Sequence, residues 1–281
     1  MTVFRKSASL PAVLLCALLA APAWAAGSAS IVVPAGSIMD LEEGTIEAWV
    51  KLNFNPRHEN SDRWKSVGSL CLMEIPKTTA DLGASIHAGW GLETTKRFDQ
   101  VTRRATFRVA FVVNGQQLPH PALADATDWG QGAWRHVAFT WRNGREMRVY
   151  VDGKLAGERL FPTPARRDIP SSARLVLGLP GYIASNAITV DEIRISSVAR
   201  RPEELGFHHV PLRPDPCTLY MEGFENVTEE KGKRMTRPFL VERDGEAFEV
   251  KGGAVVEGKS GAGFCFDPQS LAPAAGPAGK Q

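Results

Sequence analysis

Hydrophobic and polar residues alternate along much of the chain, and the alternation is sharpest in the segment 132–159. Every second position is apolar in two successive runs, 137–141 and 147–151. A period of two places these side chains on one face of a β-strand. Asn143-Gly144 separates the runs and Asp152-Gly153 follows the second, and both dipeptides favour type I′ hairpin turns because they tolerate positive φ. The segment therefore predicts a three-stranded antiparallel meander with one face buried.

Further short runs, separated by glycine and proline, predict strands over most of the remaining chain. They lie at 30–33, 45–53, 67–75, 85–92, 104–113, 174–179 and 187–196. Only 202–207 is typical of a helix, a turn or two opened by Pro202 at the first helical position. Many short strands at near-regular spacing predict an all-β sandwich or jelly roll.

Three motifs resemble those of the laminin-G-like, concanavalin A-like jelly-roll domains. They are Thr45–Lys51, the hairpin Trp134–Gly153, and the strand Thr189–Ser196 followed by Pro202–Leu205. The resemblance implies a β-sandwich of two antiparallel sheets. Members of this family bind glycans, mediate adhesion or serve as interaction domains attached to enzymes, so the resemblance implies a binding role without identifying the ligand.

The first 25 residues have the pattern of a signal peptide, with Arg5 and Lys6 before an apolar core and a small-x-small cleavage site at 23–25. Without those two residues, Lys plus Arg falls from 33 to 31 and equals Asp plus Glu. A neutral mature chain has no bulk attraction for nucleic acid, and no later segment has the 18 apolar residues of a transmembrane helix. We expect export to the periplasm or the cell exterior, with a glycan or a cell-surface protein as the partner.

The mature chain is expected to contain one main domain, a laminin-G-like sandwich over 26–210. The segment 211–268 includes 217–225 and 253–267, which resemble the opening strands of a second such module. About 50 residues bury too little apolar surface to fold alone. These strands are therefore expected to pack on or complete the same sandwich, and 269–281, rich in Pro, Ala and Gly, to form a flexible tail.

Three cysteines follow the signal peptide: Cys71, Cys217 and Cys265. The last two lie in the C-terminal segment, and an oxidising compartment predicts a disulfide between them. Cys71 lies in an apolar run and is expected to be a small buried hydrophobic residue. No Cys/His spacing matches a zinc site.

Polysaccharide-cleaving enzymes on this fold need two carboxylates that face one groove. The acidic pairs of the chain are adjacent residues, which on a strand point to opposite faces; they are Glu42-Glu43, Asp191-Glu192, Glu203-Glu204 and Glu229-Glu230. No Gly-x-Ser-x-Gly nucleophile motif is present, and His136, on the strand face opposite Val137, is expected to be structural. The sequence thus predicts a non-catalytic module that binds carbohydrate or a cell-surface ligand. The alternatives are a structural or protein-interaction domain and, third, a polysaccharide hydrolase or lyase.

Candidate ligand-binding residues follow from the same interpretation. Trp64, Trp90 and Trp129 lie in or beside predicted loops and are candidate stacking platforms for a sugar, with burial against a loop as the alternative for each. Asp191 is the candidate ligand for a calcium ion, because some laminin-G-like modules carry Ca²⁺ at the sandwich rim. The alternative for Asp191 is a structural hydrogen bond to a neighbouring loop. No other cofactor is predicted.

Overall fold

The computed structural model describes residues 29–271, except 37, 41, 55–67, 76–83, 98–99, 114–115, 118–121, 161–171, 179–186, 209, 242 and 244. The predicted signal peptide lies outside the described residues. The strands are β1 (Ser30–Pro34), β2 (Glu43–Leu52), β3 (Gly68–Ile75), β4 (Ala84–Arg97), β5 (Gln100–Val113), β6 (Gln116–Gln117), β7 (Ala122–Asp125), β8 (Trp134–Arg142), β9 (Glu146–Val151), β10 (Lys154–Leu160), β11 (Arg174–Leu177), β12 (Ile188–Ser196), β13 (Thr218–Glu222), β14 (Thr228–Glu230), β15 (Lys233–Thr236), β16 (Phe239–Leu240), β17 (Phe248–Lys251), β18 (Ala254–Glu257) and β19 (Ala262–Cys265). Short 3-10 helices occur at Pro202–Glu204, Gly206–His208 and Pro268–Leu271.

The strands form two antiparallel sheets. Sheet A has the order β14-β15-β17-β1-β11-β3-β4-β5-β6, with β7 also paired to β5. Sheet B has the order β10-β9-β8-β2-β12-β13-β16, with β19 paired to β12 and β18 paired to β19. The predicted all-β jelly-roll sandwich is confirmed.

The core lies between the sheets and is built from the alternating apolar positions. On sheet B the inward residues include Ile46, Val50, Val137, Phe139, Trp141, Val149, Val190 and Ile195; on sheet A they include Ile31, Val33, Phe107, Leu175 and Leu177, all buried. A shift of one residue in any of these strands would exchange its buried and outward faces, so the alternation fixes the register.

The predicted meander is β8–β10, and its two turns differ. Asp152 and Gly153 have φ of 49° and 74°, as a type I′ turn requires. At the other turn only Gly144 has positive φ, 70°, and Arg142 pairs with Glu146 across a three-residue loop. The type I′ prediction is therefore wrong at Asn143-Gly144, because one additional residue enters that loop.

The C-terminal strands join both sheets. In sheet A, β17 pairs with β1 and β15. In sheet B, β12 has β2 on one side. On its other side the partner changes from β19, which lies opposite Thr189 and Val190, to β13, whose last residue, Glu222, lies opposite Ile193. The C-terminal segment is thus part of the sandwich.

A β-bulge occupies the point in β12 where the partner changes. Asp191 pairs with Trp49 and Arg194 pairs with Glu47, so two residues of β12 lie opposite one residue of β2. The first of those two, Glu192, has φ of 51°, a left-handed conformation that a non-glycine residue adopts at an energetic cost. Bulges of this kind redirect side chains and end regular pairing.

Cys217 and Cys265 are not bonded to each other. The backbone of Cys265 pairs with Thr189, near the start of β12, whereas the carbonyl of Cys217 accepts a hydrogen bond from Ser197 N, just past its end. The intervening strand spans about 20 Å or more, and a disulfide needs Cα atoms less than about 7 Å apart. The predicted disulfide is therefore wrong.

In the part of the chain that the structure describes, no helix has the length and apolar character needed to cross a membrane.

Candidate functional site

The outer face of sheet B is covered by the segment 202–208, which we call the cover segment. Leu205 is fully buried and forms a small apolar cluster with Ala138 and Tyr150, separate from the main core. Gly206 is also buried, and an added Cβ there would lie 2.2 Å from Leu212 Cδ2, so a larger residue would require the Leu212 side chain to move. The cover segment converts the outward positions of β2, β8 and β12 into a second buried layer.

A polar network lies beneath the cover segment. Glu47 on β2 accepts hydrogen bonds from His136 Nε2 at 3.0 Å, from Arg194 Nε at 2.7 Å and from Gly206 N at 2.7 Å. The exposed fractions are 0% for Glu47, 0% for His136 and 5% for Arg194. Arg194 also donates to the carbonyl of Glu204 at 3.2 Å. Two strands and the cover segment are therefore tied to one carboxylate.

The charge of Glu47 is stabilised by its partners. Burial opposes ionisation, but the hydrogen bond from His136 and the positive charge of Arg194 outweigh it and hold the pKa of Glu47 below its usual value. Because an ionised carboxylate only accepts hydrogen bonds, His136 Nε2 must carry a proton. The other ring nitrogen, Nδ1, is buried and has no partner among the described residues, and the same holds for Trp49 Nε1.

Aromatic side chains stack above this network. Trp49 and His136 meet edge to face with ring centroids 5.4 Å apart, and Phe207 of the cover segment lies 5.9 Å from Trp49 and 6.2 Å from His136. The ring of Phe207 also borders the β9–β10 turn, since an added Cβ on Gly153 would lie 3.2 Å from it. His208 is exposed and lies 4.8 Å from Phe207.

Two lysines complete this surface. Lys51 Nζ lies 4.9 Å from the ring centroid of Trp134, and Lys259 Nζ lies 4.4 Å from that of Trp49. Lys51 pairs with Trp134 across β2 and β8, and Trp49 pairs with His136 one step along the same face. We call the solvent-facing members of this surface the aromatic rim; they are Lys51, Trp134, Phe207, His208 and Lys259.

The aromatic rim has the features of a shallow binding surface. Trp134 and Phe207 are half-buried, while His208 and Lys259 are exposed. An amphipathic aromatic ring held in place by packing provides contact area with little entropy to lose. The buried network below fixes the positions of these rings, as a precise binding site requires.

The three tryptophans predicted from the sequence do not form this surface. Trp64 lies outside the described residues. Trp90 lies on β4, where its backbone pairs with Gly68 and Phe107. Trp129 is only 6% exposed and its ring lies 6.2 Å from that of Phe107, so it packs into the core and offers no platform. Trp129 is therefore buried, as the alternative interpretation of the sequence expected.

Asp191 does not have the surroundings of a calcium ligand. Its Oδ2 accepts hydrogen bonds from the backbone N–H groups of Lys259 and Ser260 at 2.7 and 2.9 Å, and its Oδ1 accepts one from Glu192 N at 2.7 Å. Calcium needs six to eight oxygen ligands, whereas these neighbours are N–H donors. Nowhere among the described residues are three His, Cys, Asp or Glu side chains arranged to hold a metal ion. The geometry is that of a hydrogen bond to a neighbouring loop.

The acidic groups around the bulge are buried. Burial raises the pKa of Asp191 to about 6, and it raises the pKa values of Glu192 and Glu222 to about 7. Glu192 accepts a hydrogen bond from Leu212 N at 2.7 Å, and Glu222 accepts one from Thr236 Oγ1 at 2.6 Å. Perturbed carboxyls can mark catalytic sites, but each of these is less than 5% exposed and bonded to the protein itself.

Comparison with protein-family models identifies the superfamily of the chain. The laminin-G model of the concanavalin A-like lectin/glucanases superfamily matches residues 25–206. The chain belongs to this superfamily, and the resemblance noted in the sequence is confirmed. The matched region ends within the cover segment, so the C-terminal strands lie beyond it. A comparison with curated proteins finds no match.

Solved structures that are similar to the chain are distant from it in sequence. A heptameric SAP-like pentraxin from Limulus polyphemus is 11% identical, with a TM-score of 0.46 over 80% of this chain and 90% of that chain. A proposed carbohydrate-binding protein from Bacteroides ovatus is 15% identical, with a TM-score of 0.43 over 80% of this chain and 57% of that one. The receptor-binding domain of botulinum neurotoxin C/D mosaic serotype is 16% identical, with a TM-score of 0.42 over 66% and 41%. These likenesses concern the fold alone, and the chain spans less than two thirds of the last two proteins.

The sequence contains a signal for the aromatic rim at the outward positions of β2 and β8. Trp49 and Lys51 alternate with inward residues of β2, and Trp134 and His136 do so on β8. Aromatic rings at outward positions of both strands, Trp49 on β2 with Trp134 and His136 on β8, predict an aromatic outer face. The predicted platforms, Trp64, Trp90 and Trp129, lie in or beside predicted loops, whereas the rim tryptophan, Trp134, lies at the start of β8.

Proposed function

We propose that this protein is an exported, non-catalytic binding module that recognises carbohydrate at the aromatic rim. The observation that carries the proposal is the half-buried ring of Trp134, which Lys51 covers. It lies on the same sheet face as Trp49, whose ring contacts Phe207 and Lys259. The apolar face of a sugar ring stacks on such an aromatic ring, while its hydroxyl groups bond to nearby polar side chains. Membership in a superfamily of lectins and glucanases supports the same ligand class.

The state of the carboxylates supports a non-catalytic role. A glycoside hydrolase needs an acid and a base or nucleophile that both reach the sugar. Around the bulge, Asp191 and Glu192 are buried and bonded to backbone N–H groups. Of the exposed acidic residues, Glu204 pairs with Arg201, and Glu230 pairs with Arg237. At least one member of each acidic pair noted in the sequence thus has a structural partner, since Glu43 also pairs with Arg142.

A glycan-array screen tests the proposal. The purified protein and the variant Trp134→Ala are compared with Phe239→Ala, which removes another half-buried aromatic ring from the far edge of sheet B. We expect reproducible binding to one class of sugar, at least a tenfold loss in Trp134→Ala and no loss in Phe239→Ala. Thermal unfolding checks that both variants are folded. Equal binding by Trp134→Ala and the unmodified protein would contradict the proposal.

One observation favours a second function, recognition of a protein partner. The edge strand β10 exposes two large apolar side chains, Leu155 at 53% and Leu160 at 80%, and the register with β9 places both on its outer face. Exposed sheet edges pair with extended segments of other chains. A pull-down that is lost in Leu155→Lys but retained in Trp134→Ala would support this function in place of glycan binding.

Export is also part of the proposal, and it rests on the signal-peptide pattern of residues 1–25. Cell fractionation followed by N-terminal sequencing tests it. The expected result is a mature protein that begins at Ala26, either in the periplasm or in the medium. A cell-associated protein with an intact N-terminus would contradict it.

A further inference from the structure

We propose that the ligand of the aromatic rim is an acidic carbohydrate, whose carboxylate or sulfate groups are held by Lys51 and Lys259. This inference rests on the proposed function and specifies the class of sugar. It follows from the charge balance of the rim, from the polar atoms beneath it and from the spacing of the two lysines.

The two lysines have no acidic partner. Among the described residues, no carboxylate lies within salt-bridge distance of Lys51 or Lys259, and each ammonium group lies over an indole ring instead. A cation over an aromatic face is attracted only weakly at an exposed site, which leaves the ammonium free to bond a ligand anion. Two positive charges thus border the ring surface on which a sugar would stack.

The carboxylates nearest to the rim do not cancel this charge. Asp152 is bonded to Arg135 and to His136 N. Glu47 is buried with its own partners, and Asp191 accepts hydrogen bonds from three backbone N–H groups. Each carboxylate in the base of the rim is therefore occupied, whereas the lysines at its surface are not. A neutral sugar would leave both ammonium groups without a counter-charge.

The base of the rim also contains polar atoms without partners. Trp49 Nε1, a donor, and His136 Nδ1 are both buried and unpartnered. They belong to rings that pack against each other, and Lys259 lies directly over the ring of Trp49. A buried donor without an acceptor costs free energy. Movement of the exposed Lys259 side chain toward a ligand would uncover the Trp49 ring for an oxygen-rich group.

The spacing of the lysines suits neighbouring groups of one oligosaccharide. Lys51 lies next to Trp49 on the same face of β2, about 7 Å along the strand, and Trp49 is the ring that Lys259 covers. Lysine binds an anion as a compact point charge and does not impose the planar geometry of arginine. The pair therefore accepts a carboxylate or a sulfate, and the experiment has to separate these two.

Two pairs of polysaccharides serve as probes in a solution binding assay, and the two members of each pair share one backbone. Dextran sulfate is compared with neutral dextran, and polygalacturonate is compared with its methyl ester. The variants are Lys51→Gln and Lys259→Gln, with Lys251→Gln as the control because Lys251 is an exposed lysine on β17 of the other sheet. Trp134→Ala is measured with all four probes.

We expect binding to at least one charged polymer and none to its neutral partner, which identifies sulfate or carboxylate as the recognised group. Each rim lysine variant should bind about tenfold more weakly, and affinity should fall with added salt more steeply for the unmodified protein than for the variants. The control Lys251→Gln should match the unmodified protein. An equal loss in the control would show bulk charge attraction and overturn the inference.

Other results separate this inference from the proposed function. One such result is binding to a neutral glycan that is lost in Trp134→Ala but unchanged in both rim lysine variants. It would overturn the inference of an acidic ligand and leave the proposal of carbohydrate recognition in place. Absence of Trp134-dependent binding to every glycan would overturn both.

Discussion

Replacement of Glu47 by glutamine should destabilise the protein strongly, because the substitution removes the one negative charge of a fully buried network. The carboxylate accepts hydrogen bonds from His136, Arg194 and Gly206. A glutamine side chain has one acceptor oxygen, so its NH₂ group must face at least one of these donors. Arg194, which is 5% exposed, loses its counter-charge.

The free energy of unfolding should fall by about 3–5 kcal/mol, the usual penalty for leaving one partner of a buried ion pair without its counter-charge. For a chain of this size, that lowers the melting temperature by about 6–20 °C. Differential scanning calorimetry and urea unfolding measure the two quantities. The control is Glu43→Gln on the same strand: Glu43 is 41% exposed and lies 3.5 Å from Arg142, and a surface pair contributes about 0–1 kcal/mol.

A second comparison separates loss of the pair from general damage to the fold. The double variant Glu47→Gln with Arg194→Met removes the uncompensated charge. Its decrease in the free energy of unfolding should therefore be smaller than the sum of the decreases in the two single variants, by about 1–3 kcal/mol. If Glu47→Gln costs no more than Glu43→Gln, or if the two single losses add, the network does not hold the cover segment in the way we describe.

Three further predictions concern the bulge and the core. The carboxyls of Asp191, Glu192 and Glu222 have pKa values raised to about 6, 7 and 7, so the folded protein binds their protons more tightly than the unfolded chain does. The free energy of unfolding should therefore rise as the pH falls from about 8 to about 5, by up to about 1.4 kcal/mol per pH unit for each carboxyl. Urea titrations in which the free energy of unfolding stays constant or rises with pH over this range would refute this prediction. Asp191→Asn should lower the free energy of unfolding by about 1–3 kcal/mol because its amide NH₂ group faces N–H donors. Calcium or a chelator should leave the melting temperature of the unmodified protein unchanged. A calcium-dependent increase in the melting temperature that is lost in Asp191→Asn would refute the hydrogen-bonded geometry of Asp191. Gly44→Ala should cost about 1–3 kcal/mol in urea unfolding because its Cβ would lie 2.2 Å from Trp141 Cζ2; an unchanged unfolding midpoint would show that the ring moves freely.

The sheets of this protein were accessible to sequence analysis because the alternation of side chains encodes the two faces of each strand. That pattern located β2, β8, β9 and β12 with small errors at their ends. The turn at Asp152-Gly153 followed from local preference alone, since both residues must adopt positive φ. The turn at Asn143-Gly144 did not, because the pairing of the strands added a residue that the dipeptide cannot show.

The buried network and the aromatic rim were less accessible for a physical reason. Glu47 and His136 are 89 positions apart, and Glu47 and Arg194 are 147 apart. The sequence placed Glu47 and His136 on outward positions, but only the cover segment makes those positions buried. The same long-range contacts decide against the Cys217–Cys265 disulfide, since both residues lie in the C-terminal segment but flank opposite ends of β12.

The bulge in β12 explains how a sandwich of this family accommodates its additional strands. A regular strand would keep one neighbour along its whole length, whereas β12 exchanges β19 for β13 at the bulge. There, Asp191 bonds the loop at Lys259 and Ser260, and Glu192 bonds Leu212. All three donors lie beyond residue 206, where the family match ends. The same loop carries Lys259 over Trp49, so the bulge joins the C-terminal segment to the sandwich and also positions one of the charged residues of the aromatic rim.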